Sequence, residues 1–464
     1  MAFSQLSFIF IFLPVFLVIY CILPKQFRGL WMMIASLGFY FYGTMSHPEF
    51  ILLLALSVVI NYLAGRFISG ERRGRKAVFV LAVIYNFSWL VVFKYLGFIM
   101  SNVASVTGLK LTAPDLLLPL GISFYTFQSV SYLADVYKRK TEGAKSLLNM
   151  AVFILMFPKL TSGPIARYPE LKKSWDSAPE PSLAGVNRGF LTFTLGLGMK
   201  VILADRIGTV WSGAVNIGFD SISTPLAWLA MVAYAMQLYF DFAGYSLMAV
   251  GIGEMLGFSL PENFDDPYTA KSVSEFWRRW HITLGAWFRD YIYIPLGGSR
   301  KGLARTVFNL LVVWLFTGLW HGASWSFVVW GLYLFFFIAV EKLFLKKALD
   351  KVPFIAHVYL VVVILFSWLF FAVGDISQIP VYIMRLFGVV PREANIFAGD
   401  YATFGTLTYV LMGVGLFFCT GIPTKLFRKH REKSWMSVIM LAIFWYSIYT
   451  LYHSAGDPFM YFNF

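Results

Sequence analysis

The sequence predicts an all-α, polytopic integral membrane protein, and three observations carry that expectation. Hydrophobic residues fill 59% of the 464 positions and charged residues only 13%. Apolar runs long enough to cross a bilayer recur along the whole chain. Short basic clusters separate those runs, where cytoplasmic loops of membrane proteins carry lysine and arginine. The net charge of +14 therefore reads as topology, and no nucleic-acid partner is expected.

The first run (MAFSQLSFIFIFLPVFLVIYCILPKQFR) has no basic residue before Lys25 and is too long for the core of a signal peptide, so it reads as a retained first helix. Lys25 and Arg28 then put the N-terminus outside. Further crossings are expected near 29–43, 48–65, 78–101, 117–137, 187–204, 225–257, 354–373, 403–421 and 435–452, with both termini outside. No Gly/Ser-rich or Pro-rich linker interrupts the succession, so 1–464 reads as one membrane domain. Cys21 and Cys419 both lie inside apolar runs, which excludes a disulfide framework and a CxxC metal or redox site; no metal site is expected.

Two segments do not fit simple crossings. The run near 149–160 (NMAVFILMFPKL) lies between two basic clusters and is too short to span and return, so it reads as re-entrant or interfacial, with Pro158, Gly163 and Pro164 breaking a helix. The other is RTVFNLLVVWLFTGLWHGASWSFVVWGLYLFFFIAVEK, Arg305 to Lys342, basic at both ends. Gly322, Ala323 and Ser324 break it in the middle, which predicts a hairpin entering from the cytoplasm with His321 at its tip and Trp320 beside it. From Arg305 to His321 the helix would rise roughly 24 Å at 1.5 Å per residue, beyond the middle of a hydrocarbon core about 30 Å thick. Desolvation disfavours an imidazolium at such depth, and a neutral imidazole is what a general base requires. Polar glue between helices is the competing reading of His321.

The stretch EFWRRWHITLGAWFRDYIYIPLGG concentrates Glu275, Arg278, Arg279, His281, Arg289 and Asp290. At 100° per residue, Trp277, Trp280, His281, Leu284, Trp287 and Phe288 share one face and the charges share the other. One amphipathic helix at the cytoplasmic surface is expected, ended by Pro295 and the paired glycines. Its arginines suit lipid phosphates, with Glu275 pairing to Arg278 or Arg279, or else an anionic cytosolic ligand such as coenzyme A or an acidic carrier protein. His281 and Trp280 point to the apolar side.

Two further polar faces repeat at helical spacing: Tyr125, Gln128, Ser131 and Asp135, and Gln237, Asp241 and Tyr245. A carboxylate within the bilayer needs a partner. Asp241 has two candidate roles, an ion pair with Lys159 or Arg167, or support of a buried histidine.

FWRRWHITLGAWFRDYIYIPLGGSR, followed 40 residues after its histidine by LWHGASW, resembles the membrane-bound O-acyltransferase family in its alginate O-acetyltransferase branch. PLGISFYTFQSVSYLADVY, FPKLTSGPIARYPEL, QLYFDFAGYSLMAVG, NFDDPY and the ending PFMYFNF agree with that branch, whereas Leu247 stands where it has an Asp. The resemblance implies a ring of about 11–12 transmembrane helices with re-entrant segments around a central funnel. It makes His321 the catalytic histidine and His281 the second site position, among funnel candidates Trp280, Arg278, Arg279, Arg289, Asp290, Trp320, Asp241, Gln237 and Tyr245. It further implies no bound cofactor, and a thioester co-substrate, acetyl-CoA or an acyl carrier. A periplasmic SGNH-type partner and a polysaccharide synthase complex would work beside the enzyme in the bacterial inner membrane. D-alanyl transfer to teichoic acid is the alternative within the enzyme class, and a transporter the alternative outside it.

Overall fold

The structure, a computed structural model, describes residues 2–71, 73–112, 114, 116–161, 163–177, 180–389 and 396–453; the PFMYFNF ending lies outside them. Helices dominate, and among the described residues the β contact is one isolated bridge, Phe264 to Trp280. Among the described residues seven helices are long and apolar enough to cross a membrane, or eight if the bent pair Thr406–Cys419 and Ile422–His430 is one span. The protein is thus an all-α, multi-pass membrane protein. The expected 11–12 crossings are not all single long helices: Ile122–Tyr137 is 16 residues, and Phe8–Ile22 is likewise shorter than the full-length spans.

The chain forms two compact units. The first, Met1–Phe193 with Ser246–Glu262, holds the spans Glu49–Ser69 and Arg75–Thr107. Asn61 and Asn86 exchange their side-chain amides at 3.0 and 2.8 Å, so each buried amide satisfies the other in an apolar setting. The run expected to be broken is broken: Leu147–Leu155 ends at Met156, and a four-residue turn, Phe157–Leu160, follows. Its Lys159 is fully buried, donates to Gln128 Oε1 and the Phe153 carbonyl, and lies over the Phe153 ring at 4.3 Å.

The second unit, Thr194–Tyr245 with Asn263–Phe464, carries the functional candidates. The predicted hairpin forms as Leu303–His321 and Trp325–Val340, turning through Gly322, Ala323 and Ser324. Glycines set its crossing. A methyl on Gly318 would meet the Phe327 carbonyl at 2.3 Å, and one on Gly331 the Trp314 carbonyl at 2.4 Å, so the two backbones touch. Pro353–Ala372 lies against the second arm and adds Trp368 and Phe371 to a core of indoles.

Asp241 pairs with Lys200 at 2.9 Å, both side chains almost wholly buried, and Lys200 also engages Asp205. This corrects the expected partner, since Lys159 is bound to Gln128 and a carbonyl. A buried carboxylate pairs with whatever cation the packing brings, and the stretch around Lys200 comes close because Gly244 faces the Gly196 carbonyl, 2.5 Å from where a methyl would sit.

Candidate functional site

The predicted single amphipathic helix is two short ones, Val273–Arg279 and Ile282–Phe288, and His281 is the break between them. Its φ of +45° and ψ of +54° are left-handed, which few non-glycine residues adopt. The cause is a segment that helical periodicity could not foresee. Asp265 N–H donates to the Arg279 carbonyl and Ile282 N–H to the Asn263 carbonyl, both at 3.0 Å, so NFDDPY draws residues 279–282 out of helical register. Phe264 packs edge-on to Trp280 at 5.1 Å across this bridge. Asp266, next along, is also left-handed, and its Oδ1 accepts from Thr424 Oγ1 at 2.8 Å.

The preceding helix is anchored at its start. Glu341, buried in the second arm of the hairpin's continuation, accepts from Val273 N–H, from Ser274 N–H at 3.0 Å and from Ser274 Oγ at 2.7 Å. Ser272 caps the same helix by accepting from Glu275 N–H at 3.1 Å. A carboxylate there satisfies orphan amides and suits the positive helix end.

His281 is 2% exposed. Its Nδ1 lies 3.2 Å from Asn263 Oδ1, and its ring stands edge-on to Phe242 at 4.7 Å and 6.0 Å from Trp320. Burial pulls its pKa down to about 3, because the cation would be stranded from water. His321, 4% exposed, closes its helix with aromatic rings around it: Trp320 at 4.8 Å, Trp330 and Phe371 each at 5.1 Å, and Phe327 at 6.4 Å. The two histidines, 40 residues apart in the chain, thus meet on the Trp320 ring.

The charged candidates separate from this pair. Arg279 binds Glu275 one turn back and donates to Thr269 Oγ1 at 2.8 Å, so it braces the helix. Arg289 and Asp290 pair with each other at 2.7 Å, and Arg278 is exposed. Trp280 is 2% exposed and packs among Phe276, Phe264 and Trp368 as core. On the long Thr224–Met255 helix, Gln237 lies against Gly208 and Asp241 against Lys200, whereas Phe242 is the residue turned to His281. Tyr245 is buried. Asn263, Phe242, Trp330, Phe371 and Glu341 were not singled out for the site from sequence; NFDDPY was visible as a motif, but what Asn263 touches was not.

The family model described as MBOAT, membrane-bound O-acyltransferase family, matches residues 8–384. The "Probable alginate O-acetylase AlgI" of Pseudomonas aeruginosa is 38% identical, over 74% of this chain and 66% of that relative. Its counterpart in Azotobacter vinelandii is 37% identical over 81% and 76%. A peptidoglycan O-acetyltransferase of Helicobacter pylori is 32% identical over 100% of this chain and 97% of its own. Helical fold, buried histidine pair and these likenesses define a multi-pass membrane enzyme of the O-acyltransferase class. The chain belongs to the membrane-bound O-acyltransferase family.

Proposed function

We propose that the protein is an O-acetyltransferase of the bacterial inner membrane. It takes acetyl from a cytoplasmic thioester, acetyl-CoA, and passes it outward for O-acetylation of an exopolysaccharide, alginate or cellulose among the candidates. A periplasmic SGNH-type partner, beside a polysaccharide synthase complex, supplies the receiving serine. The observation that carries this reading is the convergence of His281 and His321 on one indole in a buried aromatic setting. Relatives named for alginate and peptidoglycan acetylation support acetyl as the group and a polymer as its destination.

In the reaction, the acceptor oxygen attacks the thioester carbonyl carbon as His321 takes the hydroxyl proton. The C–O bond forms, the C–S bond breaks, and the proton returns from His321 to the departing sulfur. His281 either positions the acceptor or steadies the developing oxyanion. The test is transfer of labelled acetyl from acetyl-CoA to the partner serine by the purified protein in proteoliposomes. His321→Ala should lower it by about 10²- to 10⁴-fold, the usual worth of a positioned acid or base, with the protein still folded. Undiminished transfer would overturn the role of His321. Transfer of aminoacyl groups from a carrier protein instead of acetyl would move the reading to D-alanylation, and polymer flux without any acyl donor would move it to transport.

A further inference from the structure

Asn263 has no place in the reaction above, yet it fixes the chemistry of His281. Its Oδ1 meets three groups: the Thr283 N–H at 3.3 Å, Thr283 Oγ1 at 2.7 Å and His281 Nδ1 at 3.2 Å. A main-chain N–H can only donate, so the Asn263 atom facing it is the oxygen and not the amide nitrogen. That same oxygen faces His281 Nδ1. An oxygen that only accepts requires a proton on Nδ1, and a neutral imidazole protonated there carries a bare lone pair on Nε2. Among the described residues Nε2 is buried and has no hydrogen-bond partner.

We infer that Asn263 is a positioning residue that locks His281 in the Nδ1–H tautomer, so that Nε2 accepts a hydrogen bond from an N–H or O–H group of a bound substrate. The lock follows from hydrogen-bond chemistry alone; the identity of the substrate rests on the acyl-transfer reading. A histidine held this way has no proton to offer an oxyanion, so of its two possible tasks it positions. Two sources carry the required donor group, an amide N–H of the pantetheine arm of the thioester and a main-chain N–H beside the acceptor serine.

The experiment is nitrogen NMR of histidine-labelled full-length protein in detergent at pH 8, with the His281 signals assigned by their loss in His281→Asn. Wild type and Asn263→Asp, whose carboxylate oxygen still accepts from Nδ1–H, should show a protonated Nδ1 and a bare Nε2. Asn263→Leu should show mixed tautomers. In turnover, Asn263→Leu should raise one KM by about tenfold, the worth of a hydrogen bond of about 1.4 kcal/mol, with a smaller change in kcat, and Asn263→Asp should restore it. A raised donor KM puts the pantetheine amide on His281, and a raised acceptor KM puts the acceptor there. A protonated Nε2 in wild type overturns the lock, as does Asn263→Leu with an unchanged tautomer and unchanged KM values. Should Asn263→Leu fail to fold, the wild-type and Asn263→Asp spectra still decide. A correct tautomer in a protein that transfers no acetyl would sink the acyl-transfer reading and leave the lock standing.

Discussion

The two histidines reach the same indole by opposite means. His321 ends a regular helix, and what places it is close packing: two glycine-lined backbones in contact and walls of Trp330, Phe327 and Phe371. His281 sits at a break in the backbone, and what places it is polar connection: a two-residue bridge to NFDDPY, the Asn263 oxygen, and a carboxylate cap at the start of the preceding helix. Packing is stiff but indifferent to chemistry, whereas hydrogen bonds set which atom of a ring carries the proton. A site that needs one group at fixed depth and another of fixed protonation has reason to use both.

Breaking the packing side should have the largest effect. Gly331→Leu forces the hairpin arms apart at a carbonyl only 2.4 Å from the new Cβ. Acetyl transfer should fall roughly hundredfold, the cost of misplacing a reacting group by about 1 Å, in protein that still inserts. Activity near wild type would show that the crossing does not place His321. Breaking the polar side should cost less. Glu341→Ala removes three hydrogen bonds to the Val273–Arg279 helix, and a loss of about 1.5–3 kcal/mol for bonds to a charged group should appear as a lower unfolding temperature and roughly tenfold weaker transfer. Glu341→Gln, which keeps an accepting oxygen, should recover most of it. Smaller again, Thr283→Val deletes one of the groups on Asn263 Oδ1 and should cost about 1 kcal/mol of stability with under tenfold change in rate.

The smallest expected effect is of pH. With its pKa held near 3, His281 stays neutral from pH 5 to 8, so the pH profiles of kcat/KM for wild type and His281→Asn should share their inflections there. Stability behaves otherwise. The unfolded chain protonates His281 below about 6.5 and the native chain does not until about 3, so acid favours unfolding in that window. The wild-type unfolding temperature should therefore fall more steeply below pH 6 than that of His281→Asn, and parallel curves would contradict a neutral, buried His281.

The hairpin was legible because its signals are local: basic ends, an apolar stretch of fixed length, and Gly322 at the turn. The break at His281 was not, because the Trp277–Phe288 periodicity runs straight through it and the bridge comes from Phe264, sixteen residues before Trp280. Lys200 as the partner of Asp241 escaped for the same reason, since spacing on one helix says nothing of which cation a neighbour presents. The likeness of whole motifs named the two histidines, but it did not name Asn263 as the residue behind one of them.

The left-handed backbone at His281 has a consequence for anyone erasing that side chain. Histidine at φ +45° already bears the steric cost of a Cβ in that region, about 1–2 kcal/mol, and alanine bears it too, so His281→Ala removes the ring and leaves the backbone cost in place. Asparagine tolerates that conformation and glycine is at ease in it. The difference between His281→Ala and His281→Gly therefore reads the strain of the turn, and the difference between wild type and His281→Ala reads the ring.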